Sequence, residues 1–494
     1  MKNRSERDRG RRPQLLIGLL LALLVVLLPL PAGSNRPESL MLLLFAAGSI
    51  GIISAAVQLF LNQQPRRVDG VQTALLVLWL LWLGWISLQL VPVPEALLAR
   101  LSPAAAAAYA HAAAWLDAPV IGSLSVARPD TLQLGLLSLA YFVLFIVAMR
   151  LQDRRARQLV IYAVILSAAL QAAFGLAMVL SGLEIGPFGP KELYRGSATG
   201  TFVNRNHFAG FLEIGAALCL GLMIPHLRGT SLRSDRLRVL LRNLLDGLLS
   251  RNWGMRLLLL LMLIALIASR SRMGNVSFAL SVALIVPLYL MLVPGPGRLR
   301  VIGLVALIAL IDIGIVGSQL GLDELMQRFS GAALAGELRL STFADIGLLI
   351  HEWGVTGAGL GSFAYIYPAV RSAEVYAFND HAHNDYAQFL VEAGIPGLTL
   401  LALIALLVGI RGIQILRHRR NPDVAGIALG CLLAFVSLAL HSLTDFNLQI
   451  PANAATLVIL MGLLAGISPR PPNKRRALTH SDGEAEASAV TDSR

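Results

Sequence analysis

Twelve apolar stretches punctuate the chain, at residues 14–31, 38–61, 71–91, 132–149, 158–181, 206–227, 257–269, 273–293, 301–317, 389–410, 424–443 and 451–467. A helix needs roughly 20 apolar residues to cross a bilayer. In hydrocarbon every backbone group must be satisfied within its own segment, so such runs fold as helices and not as open strands. The expected fold class is therefore all-α: a polytopic integral membrane protein with about 12 transmembrane helices across residues 1–467 and a large helical periplasmic loop at 318–388. With 56% hydrophobic and 14% charged residues over 494 positions, an ordinary soluble domain is excluded. Only Ser269-Arg270-Ser271-Arg272 separates the short seventh stretch from the eighth, so that pair also reads as a re-entrant hairpin.

Basic residues orient these helices. With a cytoplasmic N-terminus, the inside segments are 1–13, 62–70, 150–157, 228–256, 294–300, 411–423 and 468–494, and they hold 30 of the 41 Lys and Arg. The longer outer loops hold the other 11. That bias is the positive-inside pattern, and it puts both termini in the cytoplasm. The net charge of +12 thus serves the membrane surface and its anionic lipids, and no folded module remains to carry a nucleic-acid interface. Residues 228–256 read as a basic amphipathic segment on the inner surface. The tail, 468–494, reads as disordered. The first stretch reads as an uncleaved span, because no clear A-x-A site follows it. Cys219 and Cys431 both fall within apolar spans and read as packing residues.

The charged residues without a topological role lie on the outer face. Arg195, Arg205, Arg270, Arg272 and Arg339 are there, with His381, His383, His441, Asp380, Asp385 and Asp445. Arginines at outer helix mouths resist the positive-inside bias and suit an anionic ligand. Arg270 and Arg272 sit between two spans with almost no loop; they read either as a fork for a phosphate or diphosphate or as arginines snorkelling to lipid phosphates. Two residues apart, the pair cannot share one helical face. His383 stands at a helix mouth, where an imidazole can move a proton near neutral pH or simply be a hydrogen-bonded interface residue. Asp380, Asn384 and Asp385 stand close enough to orient it. His381 and His383 have metal-pair spacing but no third ligand nearby, so no metal is expected. The segment 200–210, with Asn206 and His207, reads as lining the same cavity or as a helix cap. Asp445 reads as a buried carboxylate paired with an arginine or a backbone amide.

Together these residues resemble the bacterial O-antigen ligase and O-antigen polymerase superfamily. His383-Asn384, nine residues, then Gly394 and Gly397 look like its H-N-x9-G-x-x-G signature. Ser271-Arg272-Met273-Gly274 is similar to its membrane arginine step, and Arg339 falls where the family places a second arginine. GTFVNRNHFAGF (200–211) and HEWGVTGAGLGSF (351–363) also look like family stretches, so the likeness covers roughly 195–397. Leu398-Thr399-Leu400 and Phe343 depart from the ligase version of the pattern.

The resemblance implies an inverting, metal-independent glycosyltransferase without cofactors in the bacterial inner membrane, its site facing the periplasm. The donor would be a glycan on undecaprenyl pyrophosphate. The acceptor would be a lipid-linked repeat unit, for a polymerase of O-antigen or exopolysaccharide, or lipid A-core, for a ligase; polymerase is the adopted reading. A chain-length regulator is a candidate partner. His383 would be the catalytic base. Arg272 and Arg339 would bind the pyrophosphate, assisted by Arg195 or Arg270, with Asn384, Asp385, His381, Asn206 and Asp445 in support. A reading from another class is a 12-helix secondary transporter, which these span and termini counts also fit.

Overall fold

A computed structural model describes residues 2–60, 68–186, 189–227, 253–294, 344–372, 380–419 and 421–469, with Arg298, 301–303 and Ala306 between them; for 2–11 it describes the backbone alone. The chain is all-α. Its helices are α1 (Lys2–Leu27), α2 (Pro37–Phe60), α3 (Gly70–Leu90), α4 (Glu95–Leu101), α5 (Pro103–Leu116), α6 (Arg128–Arg150), α7 (Arg154–Ser181), α8 (Arg205–Leu227), α9 (Trp253–Ala268), α10 (Arg272–Leu292), α11 (344–353), α12 (Phe363–Val370), α13 (Asp385–His418), α14 (Pro422–His441) and α15 (Pro451–Gly466).

Among the described residues, eight helices are long and apolar enough to cross a membrane: α2, α3, α6, α7, α8, α10, α13 and α14. The apolar part of α1 (Arg12–Leu27), α9 and α15 are shorter. Eleven of the twelve expected stretches are thus helices, and 301–317 lies almost wholly outside the described residues. The expected surface segment 228–256 lies outside them up to Trp253, as do the tail from 470 and residues 318–343 and 373–379 of the loop 318–388.

The centre of the bundle is α8, packed along α14. Their backbones nearly touch: a β-carbon on Gly221 would stand 2.2 Å from the Gly430 nitrogen. Small residues permit this approach where lipid offers no hydrophobic drive for helix association. Helix α8 is enclosed on all sides, whereas α2 turns Met41, Leu42, Phe45 and Ile52 outward, as a lipid-facing helix does.

Polar residues cap the helices at two opposite ends. At one end the Asp69 carboxylate accepts from Val71 N and Gln72 N and opens α3, while Gln72 Nε2 donates to the Ala465 carbonyl at 2.9 Å. Arg154 pairs there with Asp423. Arg411, counted in the sequence as a loop residue, pairs at this end with Asp69 and is only 1% exposed. The reason is that α13 runs to His418 and carries Arg411 inside the bundle. At the other end Asn384 opens α13, Ser271 opens α10, and α8 begins at Arg205.

Over this second end, α4, α5, α11 and α12 form a small outer layer with its own core of Leu98, Ala105, Leu349, Trp353, Phe363 and Tyr367. It is stitched to the bundle by Val126 N donating to the Ala358 carbonyl (2.9 Å) and Thr131 Oγ1 donating to the Leu360 carbonyl (2.8 Å).

Helix α13 starts four residues earlier than the expected span and breaks at Gly394, which has φ +69° and ψ −178°. The carbonyls released by the break are taken up by other segments. Trp85 Nε1 donates to the Ala393 carbonyl (2.7 Å), Gln89 Nε2 to that of Glu392 (3.0 Å), and Ala358 N to that of Val391 (2.9 Å). Residues 355–357 lie directly on the break: a β-carbon on Gly357 would stand 2.2 Å from the Glu392 carbonyl oxygen. Gly357 and Gly394 thus serve one docking event between 351–363 and α13, while Gly359 and Gly361 approach Ser125 and Asp130 and Gly397 approaches Trp82.

Candidate active site

The site is built around the first turn of α13. The Asn384 side chain accepts from Ala387 N at 3.0 Å and caps the helix. His383, one residue earlier, is held at φ +49°, a left-handed conformation uncommon outside glycine. This turns its ring away from the helix cap and toward the loop after α14. His383 Nδ1 stands 3.5 Å from Asp445 Oδ1, with the imidazole half-exposed and the carboxylate buried. His207, in the first turn of α8, brings Nε2 to 3.6 Å from the same oxygen. Phe446 is the hub: the rings of His381, His207 and His383 lie 4.1, 4.4 and 5.0 Å from its centroid.

Burial alone would raise the Asp445 carboxyl. The contacts with His207 and His383, and the field of His441, outweigh it and hold the group well below the ordinary carboxylate range. An ionised Asp445 facing Nδ1 favours a proton on that nitrogen and leaves Nε2 of His383 with its lone pair. The geometry is that of an imidazole oriented by a buried carboxylate to accept a proton. Burial lowers His381, opposed by Asp380, and this favours its neutral ring against Phe446 and the Gln388 amide.

Of three expectations about these residues, one is corrected. Asp445 accepts from the backbone amide of Phe446 (2.9 Å), one of the two partners expected, and stands beside two imidazoles where the other alternative was an arginine. Asn384 and Asp385 do not hold the His383 ring, because a cap residue turns its side chain back to the helix amides. Asp385 instead ties α13 to the following loop: its N–H donates to the Ser442 carbonyl and its Oδ2 accepts from Leu448 N, both at 2.9 Å. His381 stacks on the Phe446 ring, whereas His383 meets that ring edge-on. Among the described residues no group of three His, Cys, Asp or Glu is placed to hold a metal.

The expected arginines are distributed unevenly. Arg272 is the first residue of α10, exposed at the site end above its Ser271 cap. Arg270 is exposed in the preceding turn at φ +55°, its guanidinium beside Gly196. Arg195 is exposed, and its Nε donates to the Lys191 carbonyl at 2.8 Å, so its guanidinium is partly committed to its own loop. That loop is pinned by Lys191, whose Nζ lies 2.7 Å from Glu184 Oε2. Asn206 is half-buried in the first turn of α8, with its backbone N–H on Asn204 Oδ1 (2.8 Å). Arg339 lies outside the described residues.

Arg205 was grouped with the outer arginines but not chosen as a ligand. It is half-buried, stacks over the Tyr194 ring at 5.3 Å, and has a buried Nε without a protein partner. Burial raises the Tyr194 hydroxyl, Asp445 adds to that shift and Arg205 opposes it, which sets all three groups in one electrostatic neighbourhood. The signal was present as N-R-N-H at the mouth of α8. His207 carried the same signal, whereas Glu213, eight residues further into the span, had none.

Fold and site define a polytopic all-α membrane protein with an imidazole–carboxylate cluster and several arginines at one end of its bundle. Residues 257–402 match the family model described as O-antigen ligase, which bears out the resemblance to the O-antigen ligase and polymerase superfamily. No curated protein matches the chain. The matched segment contains Arg270, Arg272, His383 and the α13 break, while Arg205, His207 and Asp445 reach the same site from outside it.

Proposed function

We propose that the protein is an inverting glycosyltransferase of the bacterial inner membrane, acting at the periplasmic face on a glycan carried by undecaprenyl pyrophosphate. The observation that carries this reading is the His383–Asp445 pair at the end of the bundle that also presents Arg272 and Arg205. His383 Nε2 takes the proton from the acceptor hydroxyl as its oxygen attacks the anomeric carbon. The bond from that carbon to the diphosphate oxygen breaks on the opposite face, and its electron pair leaves with the lipid diphosphate. Arginine guanidiniums, and not a divalent ion, meet the charge that develops there. Arg272 and Arg339 are the adopted ligands, assisted by Arg195 or Arg270, and Arg205 is a further candidate at the same end of the bundle. The half-exposed ring of His383 then returns its proton to solvent.

The adopted acceptor is a second lipid-linked repeat unit, which makes the protein a polymerase of O-antigen or exopolysaccharide. Transfer to lipid A-core is the alternative, and the description of the matching family favours it. Product analysis with purified protein, a lipid-diphosphate-linked glycan and each acceptor in turn separates the two. Transfer without any ion gradient, lost in both His383→Ala and Arg272→Ala, is the expected result. Full activity in both variants overturns the reading, and gradient-coupled uptake without transfer indicates a carrier.

A further inference from the structure

Deep to the site, a carboxyl–imidazole pair is enclosed by three helices. Glu213 of α8 is fully buried, as is His441 of α14, and Glu213 Oε1 lies 2.7 Å from His441 Nδ1. Ser437 Oγ, also from α14, donates to Oε2 at 2.6 Å. The third helix is α10: a β-carbon on Gly274 would stand 3.2 Å from Glu213 Oε1 and 2.7 Å from the β-carbon of Ala209. Gly274 N donates to Ser271 Oγ at 3.2 Å, so the first turn of α10 packs against the Glu213 carboxylate at Gly274. Arg272 is in that turn.

His441 closes the circuit on the other side. Its carbonyl accepts from Thr444 N (3.0 Å) and the next carbonyl, Ser442, accepts from Asp385 N (2.9 Å). The turn that holds His441 therefore carries Asp445 and anchors α13 beneath His383. A buried ion pair stabilises a fold little compared with apolar packing, so its best-attested use is to fix one geometry.

From this juxtaposition we infer that Glu213 is a positioning residue: through His441 and the first turn of α10 it sets Arg272 at a fixed place relative to the Asp445–His383 pair. The inference rests on the proposed role of Arg272 in holding a lipid diphosphate. Its consequence is that Glu213 governs diphosphate affinity while touching no substrate.

Binding of geranylgeranyl diphosphate, a glycan-free lipid diphosphate, to the full-length protein in nanodiscs tests it. Arg272→Ala should weaken binding about tenfold, and Glu213→Gln should weaken it comparably, since loss of positioning costs on that order. Glu213→Gln added to Arg272→Ala should change nothing further, because both act through one guanidinium. Ser437→Ala, a milder change that keeps the carboxylate, should weaken binding about threefold in the wild-type background and not in Arg272→Ala. Glu213→Gln and Ser437→Ala that bind as wild type, beside an Arg272→Ala that does not, overturn the positioning role and leave the proposed function standing. Additive losses in the double variants also overturn it, as they mark a general structural effect. If Glu213→Gln fails to fold, Ser437→Ala decides alone. Wild-type binding by Arg272→Ala overturns the reading on which the inference rests.

Discussion

Replacing Gly394 by alanine would put a β-carbon 2.5 Å from the Thr356 carbonyl carbon and 2.7 Å from Gly357 N. All the close neighbours there are backbone atoms, which cannot swing aside as a side chain can. The residue also sits at φ +69°, ψ −178°, a region that is essentially glycine-only and costs another residue roughly 1–3 kcal/mol. Forcing 355–357 off the helix break adds an overpacking cost of roughly 1–3 kcal/mol. It also stretches the bonds from Ile395 N to the Gly354 carbonyl and from Ala358 N to the Val391 carbonyl, both 2.9 Å, each worth about 1 kcal/mol. The combined penalty is about 4–8 kcal/mol. Gly397→Ala meets the Ala393 β-carbon at 2.4 Å and the Trp82 ring at 3.1 Å, with no positive φ, so it carries only the packing cost of about 1–3 kcal/mol. Thermal unfolding of the detergent-purified protein should rank wild type above Gly397→Ala and Gly397→Ala well above Gly394→Ala. Equal midpoints for the two variants, or a wild-type midpoint for Gly394→Ala, would refute the docking of 355–357 on the break.

Asp445→Asn should lower transfer by a hundredfold or more with lipid-diphosphate binding retained, since it leaves His383 unoriented; steady-state kinetics with each substrate varied would reveal this. The depressed Asp445 carboxyl contributes stability that is fully present above its ordinary value of 3.8 and is lost as pH falls through the lower folded value. Midpoints taken from pH 6 downward should therefore fall in acid for wild type, and less steeply for Asp445→Asn. Trp85→Phe removes the 2.7 Å bond to the Ala393 carbonyl and should cost about 1 kcal/mol, a small drop in the same midpoint.

The helices were legible because bilayer thickness imposes a length that composition reveals; eleven of the twelve apolar stretches are helices in the described residues. The signature around His383 was legible as a pattern, but the purpose of its glycines was not. Gly394 and Gly397 answer to Gly357 and Trp82, residues distant in sequence that meet them only in the folded bundle. His383 offered no hint that its partner is Asp445, because the pairing crosses between helices. Nearby carboxylates were the natural sequence choice, and capping chemistry sent Asn384 elsewhere. Arg411 showed the opposite failure: counted with the surface charges, it is buried because α13 runs on to His418 and carries it inside the bundle, where it pairs with Asp69. Glu213 in an apolar run read as nothing, although an ionisable residue within a span seldom lacks a purpose.

The central claim is that His383 serves as the base while the arginines hold the diphosphate. Single-turnover transfer from a lipid-diphosphate-linked glycan, measured for wild type and His383→Gln with donor binding recorded in parallel, addresses both halves. A fall in rate of about 10²–10⁴-fold with donor affinity unchanged is the expected result. A His383→Gln rate within a few-fold of wild type, or a loss traced wholly to donor binding, would contradict it.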